Sequence, residues 1–139
     1  MSNLIRFGVS LDKDLLERFD KMAEEMGYTN RSEAIRDLFR KKVIEQEWEA
    51  PCKEVFGVVY LVFDHHTMGV HQRLTELQHD SYARIISTMH VHIDQHNCLE
   101  LIVMKGMGGE IRKLADRLIS LKGVKHGKLN MGTTGSNVR

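Results

Sequence analysis

Apolar and polar positions alternate at the start of the chain. In LIRFGVSL, residues 4–11, Ile5, Phe7, Val9 and Leu11 fall on one side and Arg6, Gly8 and Ser10 on the other. A period of two predicts a strand with one apolar and one polar face. The period then changes. In DKDLLERFDKMAEEMG, residues 12–27, Leu15, Leu16, Phe19, Met22, Ala23 and Met26 make a helical stripe that opens with acidic residues and stops at Gly27. A second helix is expected in YTNRSEAIRDLFRKKVIEQEW, residues 28–48. There Asn30 and Glu33 form a capping-box pair, and Ala34, Ile35, Leu38, Phe39 and Val43 form the face to be buried.

A lone strand leaves its backbone donors and acceptors unpaired. The simplest partner is the same strand of a second copy. Two such strands would turn Ile5, Phe7 and Val9 toward the helices and present two sets of Arg6, Gly8 and Ser10 outward. A two-stranded ribbon fits the major groove of DNA. An ordinary solvated strand face carries the same pattern. Asn30 and Arg31, at a helix N-terminus, are placed to meet a backbone phosphate. Asn30 as a simple cap is compatible with that role.

Pro51, the only proline, marks a boundary. Beyond it, EVFGVVYLVF (54–63) is β-rich, and TMGVHQRLTELQ (67–78) reads as a helix. ARIISTMHVHI (83–93) and CLELIVMK (98–105) read as strands. GGEIRKLADRLISLKG (108–123) is a helix with Ile111, Leu114, Ala115, Leu118 and Ile119 on one face, and VKHGKLNM (124–131) is a last strand. Strand, helix, strand, strand, helix, strand is the split βαβ, ferredoxin-like order. GTTGSNVR (132–139) has nothing to bury and is expected to be a disordered tail.

Composition narrows the class. No apolar run approaches the roughly 20 residues of a membrane span. The N-terminus lacks the apolar core of a signal peptide. Two cysteines, Cys52 and Cys98, make no disulfide framework, so a reducing cytoplasm is the expected location. A net charge of +1 and a pI near 7.9 count against a strongly basic nucleic-acid binder. Histidine is the unusual residue, concentrated between positions 65 and 96.

That concentration includes HVHIDQHNCLE, residues 90–100. On the first strand Ile85, Met89, Val91 and Ile93 share one face and Thr88, His90 and His92 the other. On the next, Leu99, Leu101 and Val103 lie opposite Cys98 and Glu100. With IDQHN as a hairpin loop, His92 faces Cys98 and His90 faces Glu100, and the apolar faces coincide. Opposed Cβ atoms stand about 5 Å apart, so His90, His92 and Cys98 can converge on one atom. Two nitrogens and a sulfur suit zinc, copper(II), cobalt or nickel, and not calcium or magnesium. A solvated His-x-His face beside an inert buried thiol is the plainer reading. A fourth ligand could come from His79, or from His65, His66 or His71. An open fourth position would look catalytic, with Glu100 as a general base.

The N-terminal RFGVSLDKDLLE, the helix start GYTNRSEAIRD, and HVHIDQHNCLE with LQHD eleven residues upstream of His90 together carry a resemblance. Over residues 4–131 the chain resembles bacterial nickel-responsive transcriptional regulators, the NikR family. The resemblance implies an α+β chain. Residues 1–50 would be a ribbon-helix-helix DNA-binding domain, and residues 51–131 an ACT-type βαββαβ domain that binds metal and assembles a homotetramer, a dimer of dimers. It implies one Ni2+ per chain in a square-planar set of His90, His92, Cys98 and His79 of a neighbouring chain. Arg6, Gly8 and Ser10 would occupy base-reading positions, and Asn30 and Arg31 phosphate-contacting ones. Glu33 and Asp37 match an acidic pair that in some members helps hold a cation. The implied function is binding to a palindromic, double-stranded DNA operator when nickel-loaded and repression of nickel uptake genes, with no enzyme activity and no membrane partner. Two departures stand out. Gly8 brings no side chain to its readout position. LVFDHHTMGVH (61–71) matches poorly, and its His65, His66 and His71 could form a secondary metal site. The rival readings are a small zinc hydrolase using His90, His92, Cys98 and Glu100, and a ribbon-helix-helix repressor with an ACT-type sensor that ignores metal.

Overall fold

A computed structural model describes residues 3–81 and 83–138. The chain divides into two compact units, one ending at Phe39 and one beginning at Arg40. Helix α1 (Lys13–Glu25) and helix α2 (Arg31–Glu49) start where the capping residues stand. Asp12 accepts the Asp14 N–H, and the Asn30 side chain accepts the Glu33 N–H at 2.9 Å.

The N-terminal segment differs from expectation. Residues 3–11 form no strand, and Ile5, Phe7 and Val9 are 86%, 63% and 65% exposed. A ladder needs a second strand, and none of the described residues of this single chain pairs with the segment. The helices show the same deficit. Leu15, Met22, Leu38, Phe39 and Val43, expected to be buried, are exposed, while Ala23 and Ala34 are buried.

The second unit carries strand β1 (Glu54–Asp64), helix α3 (Val70–His79), strand β2 (Arg84–His92), strand β3 (Asn97–Met107), helix α4 (Gly108–Ile119) and strand β4 (Val124–Met131). The sheet order is β2-β3-β1-β4, and every pairing is antiparallel. Strand β3 is inserted between β1 and β2, the strands that α3 connects. This is the ferredoxin-like βαββαβ order expected from the alternating elements.

Period-two burial explains the core. In β1, Val55, Val59, Leu61 and Phe63 are buried and their neighbours are not. They meet Ile111, Leu114, Ala115 and Leu118 of α4, Val70 and Leu74 of α3, and Ile102 and Met104 of β3. Each large member contributes about 1.5–3 kcal/mol on leaving water. The opposite sheet face stays open, with Met89 and Val91 exposed and Leu99, Leu101 and Val103 partly so. Ile85 departs from the expected face. A bulge between Ile85 and Ser87 shifts the register, so Ile85 sits opposite Met104 and packs on the core.

Trp48, at the end of α2, is 2% exposed and belongs to this core. Its indole N–H donates to the Gly132 carbonyl at 2.9 Å. The segment expected to be a free tail is tied down nearby. Buried Glu47 accepts from the Thr133 hydroxyl at 2.8 Å and from the Asn137 amide at 3.1 Å. Gly108 opens α4 against Trp48, where a Cβ would fall onto the Trp48 carbonyl oxygen. Gly108→Ala should therefore destabilise the protein by about 1–3 kcal/mol, seen as a lower urea midpoint at unchanged slope. An unchanged midpoint would mean that the start of α4 gives way freely.

Candidate metal centre

The β2–β3 hairpin places the chemistry. Its turn is closed by Asp94, whose carboxylate accepts the His96 and Asn97 backbone N–H groups at 2.8 Å each and the Asn97 side-chain amide at 3.0 Å. The Asn97 amide first, and those two backbone donors next, hold the Asp94 pKa at about 2. Lys125 donates to the Asn97 side-chain oxygen at 2.7 Å, which ties the turn to β4.

This turn sets the register: His92 stands opposite Cys98 and His90 opposite Glu100, as the sequence predicts. One donor atom each from His90, His92 and Cys98 lies within 4.8 Å of the others. Cys98 Sγ is 3.5 Å from His92 Nδ1. The Cys98 thiol is fully buried, whereas both imidazoles are exposed. The Phe63 ring meets His90 edge-on, centroids 5.8 Å apart. A sulfur donor fixed in the core and two nitrogens at the surface make a preformed N,N,S set that an ion can reach. Such a set fits nickel, copper(II), cobalt or zinc.

His79, the last residue of α3, is exposed and joins neither donor cluster found among the described residues. The candidate trio of His65, His66 and His71 does not assemble. His65 turns to Cys98, with Nδ1 3.5 Å from Sγ. His66 bonds the Gln95 carbonyl at 3.1 Å. His71 instead joins His90 and Glu100, again within 4.8 Å. These contacts cross between segments far apart in sequence, so no spacing rule signals them.

In the first unit, Arg6, Gly8 and Ser10 are exposed on the N-terminal segment. Asn30 caps α2. Arg31 is engaged: it grips the Asp20 carboxylate with two hydrogen bonds, at 2.8 and 2.6 Å. That pair lowers the Asp20 pKa, chiefly through the hydrogen bond. A phosphate would have to compete for Arg31. Of the acidic pair, Asp37 accepts from the Tyr28 hydroxyl at 2.6 Å and Glu33 pairs with Arg36.

Among the described residues no helix is long and apolar enough to cross a membrane. Residues 56–132 match the family described as the NikR C-terminal nickel-binding domain, and residues 5–46 match the ribbon-helix-helix, copG family. A protein of Nitratidesulfovibrio vulgaris (strain Miyazaki F), named as a nickel-responsive regulator, is 54% identical over 138 residues, covering 99% of both chains. One of Pyrococcus furiosus with the same name is 56% identical over 135 residues, covering 97% of this chain and 98% of the relative. A third, from Solibacter usitatus, is 51% identical over the full length of both.

Proposed function

The chain belongs to the NikR family of nickel-responsive regulators, which are not enzymes, and from that premise we propose that it binds a palindromic DNA operator when nickel-loaded and represses nickel uptake genes. The observation that carries the metal half is the convergence of His90, His92 and Cys98 within 4.8 Å. His79 of a second chain would complete the set, because in its own chain it stands apart from those donors. Bound there, nickel would supply a cross-link between chains.

Each ligand has a defined protonation task. Cys98 must lose its thiol proton and the imidazoles must be neutral, so affinity should rise with pH. The exposed apolar residues support assembly. Ile5, Phe7, Val9, Leu15, Leu38 and Phe39 are exposed in the single chain, and pairing of two N-terminal segments as antiparallel strands would cover them. The open sheet face with Met89 and Val91 is a second surface for copies of this chain, which suits a tetramer. A ribbon of two segments would turn Arg6, Gly8 and Ser10 into a major groove. DNA and nickel would then tighten each other by the same factor.

Footprinting the upstream region of a nickel transport gene, with and without nickel, tests the reading. Protection of a palindrome only with nickel supports it, and metal-indifferent protection would favour the sensor that ignores metal. Arg6→Ala should cost about 1–3 kcal/mol of operator selectivity and leave nickel affinity unchanged. Unchanged selectivity in a competition gel shift would remove the ribbon assignment.

A further inference from the structure

The geometry points to a second cation site, formed by His71, His90 and Glu100, that takes a zinc-class divalent ion without using sulfur. It goes beyond the proposed nickel site but shares His90 with it, and so rests partly on that reading.

Two independent observations carry it. The first is convergence. A ring nitrogen of His71, a ring nitrogen of His90 and a carboxylate oxygen of Glu100 all lie within 4.8 Å of one another. The His71 and His90 rings stand nearly perpendicular, 86° apart, with centroids 6.1 Å apart. The second is an orphan. Glu100 is 4% exposed, sits on the buried face of β3, and its Oε2 finds no hydrogen-bond partner among the described residues. Its other oxygen accepts a long bond, 3.3 Å, from Gln78. A buried carboxylate oxygen without a partner is costly unless something positive or hydrogen-bonding meets it. A cation held by two exposed imidazoles would do so, and Gln78 would orient the carboxylate from behind.

The chemistry of the donors separates this set from the neighbouring one. Two imidazoles and a carboxylate are an established combination for zinc, with room for water or a further ligand. The adjacent N,N,S set offers a thiolate, which favours softer or more covalent binding. His90 is common to both. Through one ring nitrogen it can serve only one set. Serving both at once would need its second nitrogen stripped of a proton as well. The two sites are therefore alternatives, and the choice between them depends on whether the ion is held through Glu100 or through Cys98. His71 enters the first turn of α3 immediately after Val70, which is buried in the core, so its placement is anchored by packing.

The test removes sulfur first. Full-length Cys98→Ala, with Cys98→Ser as a second background should the first not fold, is titrated with zinc alone against a competing chelator. One zinc per chain is expected to remain, and adding His71→Ala or Glu100→Gln should weaken it at least tenfold. Equal zinc binding with and without His71 and Glu100, or no zinc binding in any background, would overturn the site. In parallel, His71→Ala in the otherwise native chain should keep the thiolate-to-nickel absorption band unchanged. Loss of that band would make His71 part of a single nickel site and also overturn the proposal. Absence of the band in the native protein would instead count against the nickel reading, leaving the zinc titration to judge the second site on its own.

Discussion

Cys98→Ala will abolish the nickel response while leaving the fold standing. The side chain is fully buried, yet it is one of the smallest in the core, so its loss costs of order 1 kcal/mol of stability, the scale of a methyl-sized deletion. Its loss from the donor set is a different matter. Sulfur is the only soft donor in the set, and it is held by β3 opposite His92 before any metal arrives. Disturbing a residue that merely supports a ligand typically weakens binding 10- to 100-fold, so removing the ligand itself should weaken nickel by about 100-fold or more. Nickel titration of the reduced native protein should raise a thiolate charge-transfer band that saturates at one metal per chain. The variant should show no such band and no nickel-dependent protection of DNA. If the variant still responds fully to nickel, Cys98 is not a ligand.

Phe63→Ala will produce the largest stability loss, about 3–5 kcal/mol, because it removes one of the biggest fully buried side chains. Phe63 pairs across the sheet with Cys98 and packs edge-on to His90, so the cavity would open directly beneath the donors. Two readouts are expected. Urea unfolding of the metal-free protein should shift to a lower midpoint. Nickel affinity should fall about tenfold or more, since His90 loses the ring that restricts it. A large stability loss with native nickel affinity would show that the hairpin turn, with Asp94 and Asn97, holds the site without help from the core.

Much of this was legible before any coordinates. The β-rich run of β1, the strand pattern of β3 and the helical spacing of Ile111, Leu114 and Leu118 in α4 gave the elements. But the face of β2 and β3 that reads as apolar, with Met89, Val91, Leu99 and Leu101, is the open one, and Cys98, Ile102 and Met104 turn to the core. The register of the metal hairpin was also legible. A slip by one residue would have turned His90 and His92 away from Cys98 and Glu100, and only one register makes the apolar faces coincide. The ribbon was legible as a pattern, but residues 3–11 form no strand, and none of the described residues pairs with them.

The sequence by itself determined the order of elements, the βαββαβ topology, the hairpin register and the convergence of His90, His92 and Cys98. Each of these depends on local periodicity or on neighbouring strands. Only the tertiary structure decided that a bulge swings Ile85 onto the core, that His65 turns to Cys98, and that His71 joins His90 and Glu100. It also decided that Glu47 holds the C-terminal segment. These are contacts between residues distant along the chain. They follow from how helices settle on the sheet, and that packing is set by the whole core at once rather than by any spacing in the sequence.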